Sequence, residues 1–184
     1  MTMSRSLVLR GLAVLAVAAF AGCAHAPLNR VAVGYATFES AAGEPRGTAL
    51  LWQDPSNLVH VELQLIGLPP GEHGIHFHAV AKCEGGATAF STAGAHYNPI
   101  GRQHGLNNPA GPHAGDAPNI MVAADGTAKT NFTTDRVTLT AGSTTLFDDD
   151  GSAIVIHAAA DDQVSQPSGN SGARIACGTV RKTL

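Results

Sequence analysis

Apolar and polar positions alternate in short runs along most of this chain, and the runs are bounded by Gly, Pro, Asn and Asp. A period of two marks a strand, because successive side chains leave opposite faces of the pleated backbone. The stretch 57–66 shows it most clearly: Val59, Val61, Leu63 and Leu65 share one face, while His60, Glu62 and Gln64 share the other. That is the pattern of an antiparallel strand with one face against a core. Strands are predicted at 31–38, 47–53, 57–66, 75–80, 120–123, 127–133, 153–157 and 175–180, with Ala124-Asp125-Gly126 as a hairpin turn between two of them. No segment carries a convincing helical period. The fold class is therefore all-β, an antiparallel sandwich or flattened barrel.

Two long stretches, 81–119 and 158–174, lack strand character. Loops of this length inside a compact domain are usually functional or disordered. They hold most of the unusual chemistry of the chain, so an external constraint such as a metal or a disulfide is expected to order them.

Composition narrows the picture. Only 14 % of the residues are charged, the net charge is −3, and no basic cluster occurs, which makes nucleic acid and anionic membrane surfaces poor partners. Nine histidines stand out in so weakly charged a chain. At the N-terminus, Arg5 and Arg10 precede an apolar run of 11 residues, Gly11 to Ala21, too short to span a bilayer but suited to a signal-peptide core. Phe20-Ala21-Gly22-Cys23 resembles a bacterial lipobox, in which Cys23 becomes the lipid-modified first residue; Ala19-Phe20-Ala21 and Ala24-His25-Ala26 offer ordinary cleavage as the alternative. The expected organisation is a signal peptide over 1–22, a tether over 23–30 and one domain over 31–184, exported to the periplasm or cell envelope. With Cys23 set aside, Cys83 and Cys177 form one pair, and an oxidising compartment favours a disulfide over two buried thiols.

Three groups of residues can carry chemistry. In His73-Gly74-Ile75-His76-Phe77-His78, strand alternation sends His76 and His78 to the same side and leaves His73 for a structural hydrogen bond. The second group is His96, His104, His113 and Asp116, spaced by 8, 9 and 3 residues. Three imidazoles and one carboxylate complete a tetrahedral zinc shell with no open position. The third is His157, which ends the apolar run Ala153-Ile-Val-Ile, followed by Asp161-Asp162 and by Arg174. His25 and His60 are read as a tether residue and a polar-face residue.

Together these pieces resemble copper/zinc superoxide dismutase of the bacterial exported type. The matching stretches are GEHGIHFH (71–78), GAHYNP (94–99), HG (104–105), GPHAGD (111–116) and GNSGARIACG (169–178), and the likeness runs from about Val31 to Val180. The resemblance implies a Greek-key flattened barrel of eight strands. It implies one copper per chain on His76, His78, His96 and His157, and one zinc on His96, His104, His113 and Asp116, with His96 shared between them. Asp161 would join the outer N–H groups of His76 and His104, Arg174 would supply the cation beside copper, and Cys83 and Cys177 would form the intrasubunit disulfide. Ser168 stands where the family usually has a threonine narrowing the mouth.

The activity so implied is disproportionation of superoxide to dioxygen and hydrogen peroxide, with His96 storing the proton and protection of the envelope as the outcome. Membrane contact would come only through an N-terminal lipid, and both a monomer and a homodimer occur among bacterial relatives. The chain departs from the animal form in having no lysine or glutamate between Asp162 and Arg174, so Lys82, Arg102 and Lys129 are the remaining candidates for guiding the anion. A non-enzymatic metal-buffering lipoprotein is the alternative; the complete copper set, Asp161 and Arg174 weigh against it. A zinc hydrolase lacks an open zinc position and a general base.

Overall fold

The computed structural model describes residues 30–85 and 88–183; the predicted signal peptide, Cys23 and His25 lie outside them. Ten strands follow in chain order: β1 (Ala32–Glu39), β2 (Pro45–Gln53), β3 (Val59–Leu65), β4 (Gly71–His73), β5 (Ile75–His78), β6 (Ile120–Val122), β7 (Ala128–Thr134), β8 (Ala153–His157), β9 (Arg174–Thr179) and β10 (Arg181–Lys182). A single 3₁₀ turn, Ser91–Ala93, is the only helical element among the described residues.

The strands form an eight-stranded antiparallel sheet in the order β5-β8-β9-β1-β2-β3-β7, with β10 also on β1, and a two-stranded sheet of β4 and β6. The out-of-sequence neighbours β5-β8, β9-β1 and β3-β7 are those of a curled Greek-key barrel, the predicted fold class. Predicted strand positions agree within a few residues, because each has one face in the core. In β1 the buried positions are Gly34, Ala36 and Phe38, while Tyr35, Thr37 and Glu39 face solvent. In β3 the alternation of Val59, Val61, Leu63 and Leu65 with polar residues is complete. These apolar faces meet Leu51, Ile75, Phe77, Ile154, Ile156 and Ala176 in one core.

Two local features escape the period-of-two pattern. The expected strand at 75–80 belongs to a longer bent segment: β4 pairs with β6, the chain turns at Gly74, and β5 pairs with β8. This corner lets one segment serve both sheets. The turn at Ala124-Asp125-Gly126 does form, with Gly126 N–H donating to the Ala123 carbonyl at 3.0 Å and Ala123 N–H to Thr127 at 2.8 Å. Its two arms nevertheless pair elsewhere, β6 with β4 and β7 with β3, so no extended hairpin follows.

In β5 every residue is buried, Ile75 and Phe77 against the core and His76 and His78 on the opposite face. That second face is covered by the long loops, one of which is tied down by the Cys83–Cys177 disulfide across 94 residues of chain. A closed loop of that length contributes on the order of 4–5 kcal/mol through the entropy it removes from the unfolded chain.

The alternation in β1 yields a direct test. Phe38→Ala should cost about 3–5 kcal/mol in urea unfolding, and Thr37→Ala on the solvent face within about 0.5 kcal/mol.

Candidate metal centre

Seven side chains from five separate segments converge beneath the long loops. His76, His78, His96 and His157 are buried, and their ligand atoms lie within 4.8 Å of one another; the same holds for His76, His96, His104 and Asp116. The first set contains a chemical signature. His76 Nδ1, His78 Nε2, His96 Nε2 and His157 Nε2 are all buried without a hydrogen-bond partner. Four unpaired acceptors in one place are costly unless something with positive charge satisfies them.

The opposite nitrogen of each of these rings is held. His78 Nδ1–H donates to the Gly94 carbonyl at 2.9 Å, and His157 Nδ1–H to Gly172 at 3.2 Å. His76 Nε2–H donates to Asp161 Oδ2 at 2.7 Å. Such outer bonds select the tautomer and aim the free lone pair inwards. The four nitrogens fit a copper-type ion that prefers imidazole.

The second set surrounds Asp116. Its Oδ1 lies 3.1 Å from His96 Nδ1, 3.0 Å from His104 Nδ1 and 3.2 Å from His113 Nδ1. Ligands about 2.0–2.1 Å from a tetrahedral ion stand about 3.3 Å apart, so these spacings suit a zinc-sized ion bound by three nitrogens and one oxygen. The other oxygen of Asp116 accepts the backbone N–H groups of Gly105 at 2.8 Å and His113 at 2.9 Å. Arg136 braces the same residue from below, donating through Nη2 to the Asp116 carbonyl at 2.7 Å. His96 therefore offers one nitrogen to each set.

Asp161 joins the two halves. Besides His76 it accepts His104 Nε2–H at Oδ1, 3.0 Å away. Two residues that the sequence pattern did not single out, Asn119 and Gly169, support this bridge. Asn119 pairs reciprocally with the Asp161 backbone, giving its Nδ2–H to the carbonyl and taking the N–H on Oδ1, both at 2.9 Å. Gly169 packs so closely on the carboxylate that any Cβ there would collide with Asp161 Oδ1. His73 lies between the carbonyls of Pro69 (2.8 Å) and His157 (2.7 Å), a structural role that also positions the end of β8. Asn119 and Gly169 carry no sequence period, since each acts on a group brought close only by folding.

The copper-side half opens to an open cleft of about 430 Å³ lined by His78, His96, His113, His157, Asn98, Ala95, Pro167, Ser168, Gly172 and Arg174. Arg174 is fixed at its wall: Nη1 donates to the Phe90 carbonyl and Nη2 to the Gly94 carbonyl, each at 2.6 Å. Phe90 is buried in the left-handed region (φ 56°), which turns its carbonyl toward Arg174. Of the three other candidate cations, Arg102 is tied through its backbone to the cleft-lining Asn98, whose side chain clamps it at 2.8 and 2.9 Å. Lys129 faces a separate groove with Glu62, and Lys82 lies beside the disulfide. His60 lies apart, stacked on Trp52 at 4.9 Å.

Charge divides the centre in two. Burial holds the copper-side rings below the ordinary histidine range: His96 falls to about 4, His157 to about 3, and His76 and His78 also fall. These rings are neutral near pH 7, with lone pairs free. His104 behaves oppositely. Burial opposes its charge, but the carboxylates of Asp116 and Asp161 outweigh burial and push it up to about 9. Without metal, His104 carries a proton that a zinc-sized ion would displace.

The chain is similar to known proteins over most of its length. The family model for copper/zinc superoxide dismutase matches residues 45–180. Superoxide dismutase [Cu-Zn] 2 of Aquifex aeolicus is 43 % identical over 141 residues, covering 76 % of this chain and 81 % of the relative. The Caulobacter vibrioides superoxide dismutase [Cu-Zn] is 40 % identical over 149 residues, covering 79 % and 84 %. The crystal structure of a superoxide dismutase-like protein from Bacillus subtilis superposes with a TM-score of 0.74 at 35 % identity, over 79 % of this chain and 96 % of that one.

The split in charge predicts how the metal-free protein responds to pH. An unfolded histidine titrates near 6.5. Rings with lowered folded values bind fewer protons than the unfolded chain, so their contribution is lost as pH falls from about 6.5 towards 4. The raised value of His104 contributes below about 6.5 and is lost as pH rises towards 9. Thermal unfolding of the metal-free protein should therefore show a steep acid limb from four rings and a shallower alkaline limb from one. The alkaline limb should vanish in His104→Asn.

Proposed function

The chain belongs to the copper/zinc superoxide dismutase family, and on that premise we propose that it disproportionates superoxide to dioxygen and hydrogen peroxide in the cell envelope. The observation that carries this reading is the set of four unpartnered, inward-facing ring nitrogens beside a complete three-nitrogen, one-oxygen shell, with an anchored arginine at the cleft. Copper on His76, His78, His96 and His157 would supply the one-electron redox couple that side chains lack, and zinc on His96, His104, His113 and Asp116 a fixed positive charge without redox chemistry.

The protein's own residues handle anion and proton. Two superoxide ions and two protons give one dioxygen and one hydrogen peroxide, so the site must attract an anion and supply protons. Arg174 provides a half-buried guanidinium at the cleft, held by two backbone carbonyls so that it stays in place when the anion departs. Such fixed charge raises anion encounter rates by roughly 10- to 1000-fold. His96 faces both ligand sets, with Nδ1 on Asp116 and Nε2 on the copper side. With Nδ1 committed to the zinc half, Nε2 remains the acceptor that can take a proton and return it to a nascent peroxide. Asp161 holds the outer nitrogens of His76 and His104, which turns their Nδ1 atoms towards the two ligand sets.

Export completes the reading. The predicted signal peptide (1–22), lipid-modified Cys23 and tether (23–30) would place the domain in the periplasm or on the envelope, where the Cys83–Cys177 disulfide persists.

The mature protein loaded with one copper and one zinc per chain should consume superoxide. Arg174→Glu should lower kcat/KM by about 10- to 100-fold while retaining both metals, measured by pulse radiolysis alongside metal quantification. Full occupancy without superoxide consumption would overturn the proposal.

A further inference from the structure

Outside the ligand sets, side-chain amides stitch the two long loops together. Gln166 binds the backbone of His104 from both sides: its Oε1 accepts the His104 N–H at 2.9 Å, and its Nε2 donates to the His104 carbonyl at 2.9 Å. Gln163 accepts the Leu106 N–H on Oε1 at 3.2 Å, donates Nε2–H to the Ala117 carbonyl at 3.1 Å, and takes the Asn107 N–H on its own carbonyl at 3.1 Å. The loops lie so close here that a Cβ on Gly105 would collide with the Gln163 carbonyl, and Gly105 takes a positive φ of 109°.

The Gln166 contact differs in kind from an ordinary loop bond. Pairing with both the N–H and the carbonyl of one residue fixes the position and the rotation of that residue's backbone. His104 is fully buried, and from that backbone its ring must reach Asp116 on one side and Asp161 on the other. The next two residues after Gln166 are Pro167 and Ser168, which wall the copper-side cleft. One side chain thus connects the zinc-side ligand to the wall of the cleft.

We propose that Gln166 is a positioning residue that couples the zinc half of the centre to the cleft. It holds His104 where its ring can ligate and, through the same two bonds, sets the wall formed by Pro167 and Ser168. Filling the zinc half then orders the segment 164–169, and loss of the latch leaves the two halves independent. This inference rests on the reading of His104 as a zinc ligand.

Two variants test it. Gln166→Met keeps the bulk and removes both donor and acceptor, whereas Gln166→Glu keeps an acceptor for the His104 N–H and loses the donor for its carbonyl. Zinc affinity is measured by chelator competition, ligand geometry by the visible absorption of Co(II) in the zinc half, and order by hydrogen exchange of residues 164–169 with and without zinc. In the wild type, zinc should slow exchange across 164–169. Gln166→Met should bind zinc about 10-fold or more weakly, shift the Co(II) bands and lose the zinc-dependent protection, with copper affinity unchanged; Gln166→Glu should fall between. If Gln166→Met does not fold, Gln166→Glu decides by the same readouts. Wild-type zinc affinity and Co(II) bands in the variants would overturn this inference alone. A wild-type protein that binds no zinc would overturn the ligand reading and this inference with it.

Discussion

The centre depends on one buried carboxylate. Asp161 is 3 % exposed and accepts an N–H from His76 on one oxygen and from His104 on the other. Each bond commits the outer nitrogen of a ring and turns the inner one towards the centre, unpartnered on His76 and against Asp116 on His104. Two candidate half-sites built from distant parts of the sequence therefore share a single orienting group. A carboxylate this deeply buried needs full compensation, and the N–H groups of His76, His104 and Gln163 supply it. Asn119 holds the backbone in place, and Gly169 leaves room for the carboxylate.

The two halves solve opposite electrostatic problems. On the copper side, burial strips charge from four imidazoles, and no carboxylate touches the inward nitrogens. The site is neutral and electron-rich, prepared for a cation without a competing proton. On the zinc side, Asp116 and Asp161 flank His104 strongly enough to keep it protonated in the absence of metal. Ion binding there would exchange a proton for a metal. The barrel supplies the rigid part of the frame through β5 and β8, and the loops supply the rest, restrained by the disulfide and by side-chain amides.

Much of the fold was legible because a half-buried strand writes its burial into alternate residues. β3 follows this rule throughout and β1 from Gly34 onward. The rule is silent about pairing, so the bend at Gly74 and the parting of β6 from β7 were not visible. It is silent, too, for strands as short as β4 and β10. Within the site, His96, His104, His113 and Asp116 were readable from spacing alone, since all four sit in one loop and a tetrahedral shell needs those donor types. His76 with His78 was half readable through strand alternation, and His157 and Asp161 only through resemblance to a family.

The sequence by itself determined the all-β class, the core faces, the candidate three-histidine, one-carboxylate shell in one loop and the pair of cysteines, because these rest on periodicity and on donor chemistry carried by the residues. Tertiary structure alone decided which nitrogen of each ring is free, why His104 is charged while His96 is neutral, and how Arg174 is anchored. It also decided that Asn119, Gln163 and Gln166 hold the loops. Those properties depend on backbone carbonyls and amides meeting across the fold, and a backbone group has the same chemistry at every position until folding gives it a neighbour.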